Sequence, residues 1–173
     1  MGSHELNQFD LFNLTDEHQM LRKTVADFVK REVEPQAQEY DRSEKFNLPL
    51  FRKLGELGLL GITVPTEYGG SGMDALAAVI VHEELASSDP GFTLAYLAHS
   101  MLCANNLAVN GSKEQCQKIL PKLCSGEWVG AMGLSEPHVG TDVMSMKTKA
   151  EKSSDQYLIC LLYTSPSPRD SCA

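Results

Sequence analysis

No run of apolar residues in this sequence approaches the roughly 20 that a membrane-spanning helix needs, so no helical span is expected. Positive charge is also short: 15 Lys and Arg stand against 23 Asp and Glu, a net charge of −8. That balance argues against non-specific nucleic-acid binding, which needs a basic surface. It does not oppose an anionic cofactor, whose phosphates are met locally by N–H groups. The start, Met1-Gly2-Ser3-His4-Glu5, lacks a basic stretch followed by an apolar core, so no secretory signal is visible, and it is too acidic for a transit peptide. The five cysteines (Cys103, Cys116, Cys124, Cys160, Cys172) show neither C-x-x-C spacing nor zinc-type pairing with His. An odd count without a signal points to reduced thiols in an intracellular compartment.

Several catalytic patterns are missing as well. Gly69-Gly70-Ser71-Gly72 is not a nucleophile elbow, because Met73 stands where the second glycine belongs. Nor does a G-x-G-x-x-G follow a long apolar strand. His99 and Ser100 are neighbours with no carboxylate placed by sequence to orient the imidazole, so His99 reads as a hydrogen-bonded interior histidine. Glu83 and Glu84 point about 100° apart on a helix and do not converge on one reacting atom, so they read as solvated charge.

What is present is an apolar fraction of 42% in 173 residues, enough for a real core in one to two domains. Thr15 caps a first helix with Asp16 and Glu17 in its first turn, and Leu21, Val25, Phe28, Val29 and Val33 form its buried face until Pro35 ends or bends it. Asn47 and Pro49 open a second helix, closed by Gly58 or Gly61, and Ile62 to Pro65 reads as short and extended. Asp74 caps a third. Phe92 to Val109 is apolar nearly all round, as in a helix buried between neighbours. Ser112 and Gln115 form a capping box for the next helix, which Pro121 is expected to kink or break. Gly126 then switches the chain to strand period. Trp128, Val129, Ala131 and Met132 read as a short buried strand, and Met146–Lys152 with Gln156–Cys160 as a hairpin turning at Ser153-Ser154-Asp155. Leu161–Ala173, rich in Ser and Pro, has no such period and reads as a disordered tail.

The organising stretch is Leu134-Ser135-Glu136-Pro137-His138-Val139-Gly140-Thr141-Asp142. Pro137 pushes Glu136 towards an extended conformation. Gly140 can take a positive φ and lets backbone approach a ligand, while Ser135 and Thr141 bring hydroxyls to either side. Free N–H groups in such a turn suit an anionic oxygen. On the residues alone the choice is between a hydrogen-bonding turn for a polar or phosphorylated ligand and a structural turn.

Met132 to Asp142 resembles the flavin-contacting segment of the acyl-CoA dehydrogenase family: a hydrophobic pair, Thr or Ser, Glu-Pro, two variable residues and Gly-Ser-Asp. Ser135, Glu136, Pro137, Gly140 and Asp142 match, Thr141 replaces the usual Ser, and His138 departs from the usual small residue or Asn. Gly58 to Gly72 resembles the family's first helical-domain signature, and Ala98-His99-Ser100-Met101-Leu102-Cys103 resembles its isovaleryl-type members. The likeness runs from about Leu14 to Ile159. Beyond it, the tail resembles a translated sequencing-adapter sequence joined to a truncated reading frame.

The resemblance implies an α+β architecture. A helical N-terminal domain occupies 6–125, the first strands of a flavin-contacting β-barrel-like domain occupy 126–160, 161–173 is a non-native tail, and the C-terminal helical domain is absent. It implies an FAD-dependent, homo-oligomeric oxidoreductase of fatty-acid or branched-chain amino acid catabolism, converting a short or branched acyl-CoA to its 2-enoyl form. Electron-transfer flavoprotein would be the acceptor. Met132, Leu134, Ser135, Gly140 and Thr141 would line the flavin, with Thr141 also near the substrate's pantetheine arm, and Glu136 and Asp142 would fix the turn. The family's catalytic glutamate lies in the C-terminal domain, so no acidic residue here is given that role. The competing reading is a non-catalytic helical fragment, at most a weak flavin-binding or subunit-interaction module.

Overall fold

The structure, a computed structural model, describes residues 14–160; the expected tail 161–173 and residues 6–13 of the expected helical domain lie outside them. The described residues form two compact units that divide between Met132 and Gly133.

In the first unit, α1 (Asp16–Phe28) starts at Thr15 in a reciprocal cap: the Thr15 hydroxyl accepts from the His18 N–H, and the His18 ring accepts from the Thr15 N–H. His18 Nε2 also reaches Asp74 Oδ1 at 3.0 Å, and Asp74 caps α4 (Ala75–Ala86) by accepting from Ala77 N. The starts of α1 and α4 are thereby tied together. Further along, Arg22 donates to Glu84 at 2.6 Å and to Glu83 at 2.7 Å. The two glutamates expected as solvated charge are thus the two arms of one guanidinium clamp.

Pro35 neither ends nor interrupts the first helical run. A π-helical turn, Val29–Val33, passes directly into α2 (Glu34–Arg42), with Pro35 in its first turn. Proline fits there because the widened turn before it relieves the ring's clash with the preceding carbonyls. Asn47 caps α3 (Leu48–Glu56) by accepting from Leu50 N, and Gly58 follows with φ +73°.

The segment Ile62 to Pro65 is turn rather than extended chain, because its backbone bonds run to the glycine-rich loop after it. Ser71 N donates to Gly61 O, Gly72 N to Val64 O and Met73 N to Ile62 O. Gly70 is required there: a Cβ would lie 2.1 Å from Val64 O.

The Phe92–Val109 stretch folds as α5 (Pro90–Leu97), a π-helical stretch Ala98–Asn105 and α6 (Asn106–Asn110). It is not buried all round: Leu94 is 65% and Val109 72% exposed. Ser112 and Gln115 box the start of α7 (Lys113–Cys124), which continues through Pro121. The break expected at this proline does not occur, since Gln117, whose carbonyl loses its helical donor, is exposed to water.

One apolar cluster joins Val25, Phe28 and Val33 to Phe51, Leu54, Val81, Leu85 and Tyr96, whose hydroxyl donates to Leu59 O. A second gathers Val64, Ala104, Cys116, Leu120, Leu123 and Cys124.

In the second unit, β1 (Lys149–Ser153) pairs antiparallel with β2 (Gln156–Cys160), Ser153 opposite Gln156. Ser154 takes φ +54° in the two-residue turn, the left-handed region such hairpins use. Tyr157, Leu158 and Ile159 are all exposed.

Candidate functional site

Trp128 to Met132 forms no strand. The period-two pattern is there, but among the described residues no neighbouring strand supplies a ladder, and an extended segment without one is not a sheet. Trp128 is 42% and Met132 37% exposed rather than buried. Helices anchor the segment instead: Trp128 N donates to Lys122 O at 3.0 Å, and Gly130 N donates to His99 Nδ1 at 2.8 Å. The Lys122 ammonium lies 4.6 Å from the centre of the Trp128 ring.

His99 is fully buried, as an interior histidine should be, with its Nε2 3.2 Å from Leu123 O. Burial pushes its imidazole below the ordinary histidine range, and the neutral ring is the form able to accept from an N–H. Met132 closes this unit with its sulfur 3.8 Å from Asn106 Nδ2. A groove of about 340 Å³ opens beside it, walled by Leu102, Cys103, Asn106, Leu107 and Met132. Burial also raises the Cys103 thiol above its usual range, so the sulfur is an apolar wall and not a nucleophile.

In the second unit, Pro137 and His138 occupy the centre of a tight turn in which Glu136 N donates to Val139 O and Val139 N to Glu136 O. Proline at the second position of a turn presets φ, which explains the Glu-Pro pair. The Glu136 side chain fastens this turn from behind. Its carboxylate accepts from Lys147 N at 2.9 Å, from Thr148 N at 2.7 Å and from the Thr148 hydroxyl. These donors, the Thr148 hydroxyl foremost, hold the Glu136 carboxyl below the ordinary carboxylate range. Asp142 accepts from the Ser145 hydroxyl at the short 3₁₀ turn Val143–Ser145.

Gly140 departs from expectation. It is not among the glycines with positive φ, and a Cβ there would meet nothing within 4 Å. Its value lies in open space in front of the backbone, because the Glu136–Val139 bonds already close the turn without a left-handed residue. Ser135, Gly140 and Thr141 are all exposed, and neither hydroxyl has a hydrogen-bond partner among the described residues. Leu134 is exposed beside Ser135. The motif residues of this unit therefore sort into a fastened back, Glu136 and Asp142, and an open front, Leu134, Ser135, Gly140 and Thr141. Sequence reasoning missed the His99–Gly130 bond and the groove beside Met132, whose partners are 31 and 26 positions apart, with no local signal to mark them.

A family profile described as the acyl-CoA dehydrogenase N-terminal domain matches residues 15–127. The mitochondrial isovaleryl-CoA dehydrogenase of Pongo abelii is 50% identical over 148 residues, which cover 84% of this chain and 35% of that protein. A solved glutaryl-coenzyme A dehydrogenase in complex with glutaryl-CoA superposes with a TM-score of 0.78 at 39% identity, covering 86% of this chain and 38% of that one. An acyl-CoA dehydrogenase of Bacillus anthracis complexed with FAD gives 0.78 at 35% identity, covering 86% and 26%. The chain thus spans well under half the length of each of these three relatives.

Proposed function

This chain belongs to the acyl-CoA dehydrogenase family, and from that premise we propose that it supplies the helical domain and the first flavin-contacting strands of an enzyme that oxidises a short or branched acyl-CoA to its 2-enoyl form. The observation carrying this reading is the turn Ser135–Asp142: its shape is fixed from behind by Glu136, and its front presents two unengaged hydroxyls around an open Gly140. When bound, FAD supplies the two-electron acceptor for this oxidation.

The residues present fit such a group. On the second unit Leu134 offers exposed apolar surface for a flat ring, Ser135 a hydroxyl donor to it, and Gly140 room for backbone to come close; on the first unit Met132 offers exposed apolar surface of its own. Thr141 meets cofactor oxygens and the pantetheine arm through its hydroxyl. The groove walled by Leu102, Leu107 and Met132 suits a short branched acyl chain, with Asn106 as a polar partner at its edge. Glu136, committed to three donors, and Asp142, committed to Ser145, are not proposed as the base that removes the α-proton; the family resemblance assigns that role to a glutamate of the C-terminal domain. Electron-transfer flavoprotein is the proposed acceptor, a homo-oligomer the proposed assembly, and the interior of a cell the proposed location.

The exposed, two-stranded hairpin favours one further reading, a non-catalytic fragment that pairs with longer subunits. A chimera joining residues 14–159 to the C-terminal part of the matched isovaleryl-CoA dehydrogenase separates the two. It is expected to purify yellow and to reduce an artificial acceptor when given a short or branched acyl-CoA. A folded but colourless chimera overturns the enzymatic reading.

A further inference from the structure

One fully buried polar side chain has no place in the flavin reading. His99 sits on the π-helical stretch Ala98–Asn105, edge-on to the Phe51 ring with centroids 4.8 Å apart. Its Nδ1 lies 2.8 Å from Gly130 N, and its Nε2 lies 3.2 Å from Leu123 O. An amide nitrogen can only donate and a carbonyl can only accept, so these partners assign the tautomer: Nδ1 is the acceptor and Nε2 carries the proton. Leu123 O belongs to the last turn of α7, where it also accepts from Gly126 N at 3.0 Å, so the ring shares a carbonyl at the helix end. One ring therefore ties together three separate stretches of chain.

The stretch from Glu127 to Met132 depends on that tie. It has no ladder partner among the described residues and is held to the helices by few backbone bonds, those of Trp128 and Gly130 foremost. Gly130 is drawn so close to the helix that a Cβ would lie 2.6 Å from Cys103 Sγ. Two residues on, Met132 meets Asn106 at the groove. Ala131 beside it also lines that groove, so the group that holds the Gly130 N–H fixes where the backbone carrying both residues runs along the helices.

We infer that His99 is a positioning residue: by accepting the Gly130 N–H at Nδ1, it holds the 128–132 segment against the helical unit and so keeps Ala131 and Met132 at the groove beside Leu102 and Asn106. Only the consequence of this placement for a bound flavin rests on the proposed function. The clamp itself does not.

The test uses the 173-residue chain without flavin, so failure of the flavin reading leaves its outcome untouched. Trp128, the only tryptophan, lies on the clamped segment and reports it by acrylamide quenching, while far-UV circular dichroism reports the helices. Asn places an oxygen where Nδ1 stands, and Gln places an amide nitrogen where Nε2 stands. His99→Asn is therefore expected to shield Trp128 as the unaltered chain does. His99→Gln, which keeps the bond to Leu123 O and fills more of the cavity, is expected to expose it with helicity retained. A role in packing alone predicts the reverse order, and Gln shielding Trp128 as well as Asn does would overturn the inference. Should neither variant fold, amide exchange in the unaltered chain decides. The Gly130 amide is expected to exchange about tenfold or more slowly than that of Val129, and equal rates would sink the proposal.

Discussion

At the scale of single residues, the turn Ser135–Asp142 separates groups that hold shape from exposed groups proposed to meet a ligand, and the two kinds should fail differently. Gly140 has neither a positive φ nor a neighbour within 4 Å of an added Cβ. Gly140→Val should therefore leave stability within about 0.5 kcal/mol by urea denaturation, yet remove flavin from the chimera; retained flavin with normal turnover returns the turn to a purely structural role. Glu136 behaves in the opposite way. Its folded pKa is depressed by the Thr148 hydroxyl and the Lys147 and Thr148 N–H groups. A depressed carboxyl contributes stability that is fully present above its unfolded value, about 4.3, and is lost as pH falls through the lower folded value. The amide resonances of Lys147 and Thr148 should titrate together with a midpoint below that of a free glutamate, and Glu136→Gln should abolish the titration. A midpoint at or above the free value would contradict the clasp.

At the scale of elements, the caps were legible in the sequence because they are local: Thr15, Asn47, Asp74 and Ser112 each accept from an N–H three residues on. The motif turn was legible for the same reason, since Glu-Pro followed by Gly is a short-range signal. What escaped was set by distant partners. The 128–132 segment has strand period but only helices to bond to, and Ile62 to Pro65 is bent by bonds to a loop some ten residues later. Pro35 and Pro121 sit inside helical runs because a π-turn in one case and solvent in the other accommodate the missing N–H. These anchors bear on where the helical unit ends. Because Trp128 and Gly130 are bonded to helices, limited proteolysis should leave a resistant core ending near Met132 rather than at Gly126. The hairpin beyond it, with Tyr157 66% exposed and β1 exposed throughout, should be cut first and should promote association through its unpaired edges. Protection extending evenly through Tyr157 would count against this boundary.

At the scale of the whole molecule, the chain covers 35% of the isovaleryl-CoA dehydrogenase of Pongo abelii, and among the described residues its sheet has two strands. Alone, it should not retain FAD; equilibrium dialysis showing stoichiometric, micromolar binding would overturn that expectation. The helical unit, by contrast, has two apolar clusters of its own and should unfold cooperatively without any ligand. The interlock of Gly61 to Val64 with Ser71 to Met73 bears on how that unit is built during synthesis. Its bonds join residues only eight to eleven positions apart, and loops of that size close in tens of nanoseconds, far faster than a ribosome adds a residue. The ties of α1 reach instead across 56 to 62 positions, to Asp74, Glu83 and Glu84. Helix α1 therefore has to wait, its apolar face unpaired, until α4 has followed it out of the exit tunnel, and a nascent chain stalled before Asp74 would offer that face to a chaperone.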